Sequence, residues 1–137
     1  MAWNYLDLAD FLLVAEAVLD VPAEQVLSAA RVDLAESALH APAAEFGGVE
    51  FYADLATKAA VLAWRIIRNH PLLDGNKRVG YLCALEFVAR NGGTWTNPPD
   101  DPDGDITVAT IEGVAAGEIS EQGFAEWVAE RLADAAS

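Results

Sequence analysis

Within nine positions this chain sets a histidine, an Asp-Gly turn, an asparagine and two adjacent cations, in HPLLDGNKR at residues 70–78. Residues of these types at this spacing can handle phosphate groups. An imidazole such as that of His70 can accept a proton from an attacking hydroxyl at neutral pH. A carboxylate such as Asp74 beside phosphates is the usual holder of Mg²⁺, which keeps several waters and takes only one or two protein ligands. Pro71 ends the preceding helix, because a residue before proline is pushed out of the helical region, and this leaves His70 at the helix tip. Asp74-Gly75 makes the turn, and Asn76 is expected to cap the helix that follows. Free amides at that helix start, the Lys77 ammonium and the Arg78 guanidinium then form an anion site.

Taken singly, each residue has a plainer reading. His70 is then a helix-end residue answering the dipole, Asp74-Gly75 an ordinary turn, Asn76 a cap, and Lys77-Arg78 a solvated pair. Two cations at a helix start are, however, mildly unfavourable unless an anion neutralises them. A base, a metal carboxylate and an anion cradle together are what phosphoryl or nucleotidyl transfer requires.

The elements that must position this loop read as helices. Leu8, Leu12, Ala15 and Leu19 recur at helical spacing before Pro22, and PAEQVLSAAR and VDLAESALHAP read as two short helices. AEFGGVEFYA breaks that periodicity; its Gly pair followed by Val49, Phe51 and Tyr52 suggests a short β-hairpin flap. Asp54 is the expected N-cap of a long helix through Asn69, with Leu55, Ala59, Leu62 and Ile66 along one stripe. From Lys77 to Asn91 a second long helix is apolar nearly all round, which predicts the centre of the fold. Beyond the loop NPPDDPDGD two more helices are expected, over 105–116 and 121–134, the second capped by Ser120. The fold class is all-α with a short β-hairpin flap, and residues 1–137 read as one domain, long enough to bury a core without metals or disulfides.

The charge balance restricts the partners. With 22 acids against 8 bases the net charge is -14, which repels nucleic acid and anionic membrane alike. Six of the eight bases nevertheless fall between residues 58 and 90, opposed only by Asp74 and Glu86. A positive island of that size suits a small polyanion. The amino end has no basic leader, and no segment approaches the about 20 apolar residues that span a bilayer. A cytoplasmic protein is expected. The lone Cys83, inside an apolar segment, reads as a small core residue, and His40 and the four tryptophans read as structural.

HPLLDGNKR resembles the signature of the Fic/Doc family: His-Pro-Phe, a variable residue, Asp or Glu, Gly or Ala, Asn, Gly or Lys, Arg. Seven of the nine positions agree; position 73 is variable and Leu72 replaces the Phe that anchors the loop. LAESALHAPAAEFGG followed by FYADLATKAAVLAWRIIRNHPLLDGNKR, and GVAAGEIS near the end, are similar to the Doc branch, the death-on-curing toxins. The resemblance covers residues 5 to 132 and implies a compact Fic/Doc-type helical domain. It implies His70 as general base, Asp74 as the Mg²⁺ ligand, Gly75, Asn76 and Lys77 as the anion hole, and Arg78 as a contact to nucleotide phosphates. It also implies that the flap, Gly48, Val49, Phe51 and Tyr52, aligns a target peptide by β-augmentation.

Lys77 stands where adenylylating members usually have Gly, and Tyr81 where they carry a second Arg. That pattern resembles the kinase branch, which uses ATP and Mg²⁺ to phosphorylate a threonine of elongation factor Tu. An adenylyltransferase of the same fold is the alternative, and a catalytically silent phosphate- or partner-binding module the third reading. No inhibitory Ser/Thr-x-x-x-Glu motif occurs in the chain. A Phd-type antitoxin, whose tail folds as a helix on the toxin, is the restraining partner that the resemblance implies.

Overall fold

A computed structural model describes residues 2–132. Its elements in order are α1 (Leu8–Leu19), α2 (Ala23–Ala29), α3 (Val32–His40), a 3-10 turn (Ala41–Ala43), β1 (Glu45–Phe46), β2 (Val49–Glu50), α4 (Leu55–Asn69), α5 (Asn76–Arg90), α6 (Asp105–Ala115) and α7 (Glu121–Arg131). The fold is all-α apart from one antiparallel hairpin, in which Phe46 faces Val49 and Glu45 faces Glu50. No helix among the described residues is long and apolar enough to cross a membrane. The expected extension of the last helix to 134 runs beyond the described residues.

Local signals set the helix starts. The Asp54 carboxylate accepts from Thr57 N at 2.8 Å and the Ser120 hydroxyl from Gly123 N at 3.0 Å, each satisfying an amide that the first turn leaves free. Asp7 and Asp10 form a reciprocal capping box on α1. Asp10 also takes a two-pronged pair from Arg90 at 3.0 Å, which holds its carboxyl below the usual carboxylate range and ties α1 to the end of α5.

The centre of the fold is α4, which packs against α3, α5, α6, α7 and the 3-10 turn. The sequence pattern favours α5 for that place. Residues 58–63 of α4 are buried without a break, whereas α5 leaves Leu82 exposed and Tyr81 and Leu85 half-buried. The physical reason is side-chain size. Ala59, Ala60 and Ala63 let neighbours come close on several sides, and hydropathy gives alanine little weight.

Close approach also sets α5 on α4. A Cβ on Gly80 would lie 2.8 Å from Ile67 Cγ1 and 3.1 Å from the Ala63 carbonyl oxygen. Gly80→Ala is therefore expected to destabilise the protein. Overpacking costs about 1–3 kcal/mol, which exceeds the gain of up to about 1 kcal/mol from the better helix former. A urea midpoint equal to or above wild type would show that the two helices can part without loss.

Around this pair the core is filled by Phe11, Phe87, Phe124, Leu62, Ile66, Val114 and Val128, all 1% exposed or less. Fully burying a large apolar side chain contributes about 1.5–3 kcal/mol. Trp3 and Tyr5 stack on Phe87 at 6.3 and 5.8 Å between ring centroids, bringing the amino-terminal segment onto α5. Cys83 sits in this core, and burial pushes its thiol up to about 12, so it is inert at neutral pH.

Candidate active site

The loop between α4 and α5 is built to a defined shape. The α4 helix closes at His70, which adopts the left-handed conformation (φ 54°, ψ 55°) and donates its amide to Ile66 O. Only Asp20 shares a positive φ among the described non-glycine residues, and such a backbone costs on the order of 1–3 kcal/mol. The neighbouring residues hold it there. Pro71 O accepts from Arg31 N at 2.8 Å, and the Asn69 side chain donates to Leu34 O at 3.0 Å. Leu72, standing where the family signature has Phe, is 4% exposed and joins the core.

Asn76 is not the N-cap. The cap is Gly75 (φ 81°), which offers no side chain, and Asn76 is the first residue of α5. Its amide is already committed. Oδ1 accepts from Leu72 N at 2.9 Å, Nδ2 donates to Leu72 O at 2.9 Å, and Nδ2 lies 3.1 Å from His70 Nδ1. A side chain turned back to clasp the loop cannot also reach forward to cap. The two Leu72 contacts fix which end of the amide faces the histidine. Neutral His70 consequently accepts at Nδ1 and carries its proton on Nε2.

Because α5 lacks a side-chain cap, the amides of Asn76, Lys77 and Arg78 have no partner within the helix. They open beside a cleft of about 390 Å³ lined by Ile67, His70, Leu73, Asp74, Gly75, Asn76, Lys77, Arg78 and Ala115. All six residues expected from the motif therefore meet at one place. Asp74 accepts from Gly75 N at 2.8 Å through one carboxylate oxygen. No cluster of three or more metal-ligating side chains occurs among the described residues. A donor set of one carboxylate suits Mg²⁺, which takes its remaining ligands from phosphate and water, and does not suit a transition metal.

The positive island is largely structural. Lys58 pairs with Glu50 at 2.9 Å, Arg65 with Glu121 at 2.7 Å, and Arg90 with Asp10 and Glu86, while Arg68 donates to Ala115 O. Among the described residues Lys77 and Arg78 form no ion pair, and both are exposed at the start of α5. A helix start repels cations, so these two also stand in the least favourable place. An anion in the cleft would relieve both.

A second, more apolar groove of about 350 Å³ shares Lys77 and Arg78 and runs between α5 and α6 past Tyr81, Thr107, Val108 and Ile111. Tyr81 meets Trp95 edge-on at 5.7 Å, and its burial raises the phenol pKa. It packs one wall of this groove and does not line the histidine cleft.

The flap does not line the histidine cleft. Val49 and Phe51 are exposed on the hairpin and just beyond it, with Gly47 and Gly48 at its turn. Tyr52 lines a separate cleft of about 440 Å³ with Asp54, Thr57, Glu121 and Glu126. The Tyr52 hydroxyl lies 3.3 Å from both Glu121 and Arg65, and Arg65 is five residues, or about 7.5 Å of helix, from His70. Tyr52 thus belongs to the root of the flap and not to its free edge. The sequence reading missed Phe46, 80% exposed on the hairpin, and Ala115 in the wall of the histidine cleft. Ala115 had a signal, since it falls within GVAAGEIS.

The Fic/DOC family model matches residues 5–88 of the chain. Toxin Doc of Mycolicibacterium smegmatis (strain ATCC 700084 / mc(2)155) is 42% identical over 59 residues, which are 43% of this chain and 45% of that protein. The chain therefore matches less than half the length of that relative.

Proposed function

The chain belongs to the Fic/DOC family, and from that premise we propose that it is a Doc-like toxin whose activity is phosphoryl transfer from ATP to a threonine of a translation factor. Elongation factor Tu is the expected target, arrest of translation the consequence, and a Phd-type antitoxin the restraining partner. The observation that carries the reading is the pair Lys77 and Arg78, left without ion-pair partners at an uncapped helix start and facing the same cleft as His70 and Asp74.

The chemistry assigned to these residues is as follows. The ATP phosphates lie against the Asn76, Lys77 and Arg78 amides, with the Lys77 and Arg78 side chains offsetting their charge. The nucleoside occupies the groove past Tyr81, Val108 and Ile111, which begins at the same two cations. The threonine oxygen bonds to the γ-phosphorus as the bond from that phosphorus to the β,γ-bridging oxygen breaks. ADP leaves with the electron pair, and the hydroxyl proton passes to His70. Uptake at Nε2 needs the tautomer with its proton on Nδ1, so the contact from Asn76 opens as the hydroxyl arrives. Asp74 would hold Mg²⁺, which when bound neutralises charge on the phosphates.

Incubation with a cell lysate and ATP labelled at either the α or the γ phosphate tests the reading. Transfer of γ-label to one protein, identified by mass spectrometry as elongation factor Tu, is the expected result. Transfer of α-label instead makes the protein an adenylyltransferase. Nucleotide binding with no transfer of either label makes it a binding module.

A further inference from the structure

Lys58 is fully buried, yet every donor of its ammonium is used. Nζ bonds Tyr5 Oη at 2.9 Å, Pro42 O at 2.8 Å and Glu50 Oε1 at 2.9 Å, and it lies 5.1 Å from the centroid of the Trp3 ring. Burial works to lower its pKa, but the bonds to Tyr5 and Glu50 outweigh that and hold it above the ordinary lysine value. Stability alone is a poor account of such a group, because a buried ion pair is often no better than an apolar side chain of the same volume. What an apolar side chain cannot do is hold the hairpin. Pro42 lies three residues before β1 and Glu50 lies in β2, so a single ammonium grips both legs.

A second clamp lies beside it at the root of the flap, where Tyr52, Arg65 and Glu121 close a triangle of contacts at 3.3, 3.3 and 2.7 Å. Between the clamps Phe51 N donates to Ala44 O at 3.0 Å. The hairpin itself has two residues in each strand and exposes Phe46 and Val49. A ribbon of that size is not stable in water by itself. Its geometry is imposed from below.

We propose that Lys58 and Arg65 are positioning residues that hold the hairpin as a rigid edge for the target segment; the inference rests on the reading of the flap as the docking element. An edge already ordered saves the target the entropy of ordering it on binding. The clamps therefore act on engagement of the protein substrate and not on the nucleotide.

Glu50→Ala releases the hairpin while leaving Lys58 with Tyr5 and Pro42, and because Glu50 is only half-buried the variant is expected to fold. Hydrogen exchange at the Phe51 amide should quicken about tenfold or more as the hairpin opens locally. The KM for the protein target should rise about tenfold while the KM for ATP stays within about twofold. Glu50→Gln, which keeps the acceptor oxygen, should return both readings towards wild type. Unchanged exchange in Glu50→Ala overturns the clamp. Faster exchange with an unchanged KM for the target overturns the positioning role. Wild-type protein that protects the Phe51 amide but modifies no protein overturns the docking reading, and the inference with it, while leaving the clamp standing.

Discussion

His70→Ala is expected to lower label transfer by roughly 10²–10⁴-fold, the usual contribution of a positioned acid–base group, or about 2.7–5.5 kcal/mol of barrier. Nucleotide affinity should stay close to wild type, since the amides and cations proposed to hold the phosphates all come from α5 and not from His70. The side chain is exposed, so the fold does not depend on it through packing. Its backbone is another matter. His70 sits at φ 54°, where alanine is strained and asparagine is tolerated. His70→Asn separates the two effects, because it keeps a residue suited to that backbone and removes the base. Both variants should lose transfer, and Asn should lose less stability. Transfer within about threefold of wild type in His70→Asn would remove His70 from the chemistry, since no general base of that weight is dispensable.

Asn76→Ala should have the largest effect on the loop itself. Leu72 is buried, and both its amide and its carbonyl are satisfied by the Asn76 side chain alone. Truncation strands two buried polar groups, each costing about 1–3 kcal/mol, so a loss of roughly 2–6 kcal/mol is expected. For a protein whose stability is on the order of 5–15 kcal/mol, that is a large share. It should appear as a lower urea midpoint with an unchanged slope. Transfer should fall as well, because the loop that sets His70 beside the cleft loses the clasp on Leu72 that gives it its shape. A fall in midpoint worth less than about 1 kcal/mol would mean that water replaces the clasp, and that the loop is held by Pro71 and Leu72 instead.

Much of this site was legible because it lies within nine consecutive residues. The turn, the helix stop before Pro71 and the helix start after Gly75 are local events, and the side chains they gather are neighbours in the chain. The role of Asn76 was not. Cap and clasp use the same residue type at the same position, and what separates them is whether Leu72 is buried and needs its backbone bonded. The same holds for the cations. Arg65 and Arg90 look alike in sequence to Lys77 and Arg78, but their partners Glu121 and Asp10 lie 56 and 80 residues away.

Taken alone, the sequence determined what is short-range: the helices and their caps at Asp54 and Ser120, the hairpin at the Gly pair, and the composition of the loop between α4 and α5. Those follow from hydrogen bonds closed within a few residues, which residue type and spacing specify. The tertiary structure decided which helix is central, which cations are spent on ion pairs, which tautomer His70 holds, and what steadies the flap. Each of these depends on burial, and burial belongs to the packed assembly of helices. Lys58 shows the difference most plainly: in the sequence it is one base of the positive island, and only the packing around α4 buries it and makes it the point from which the hairpin is held.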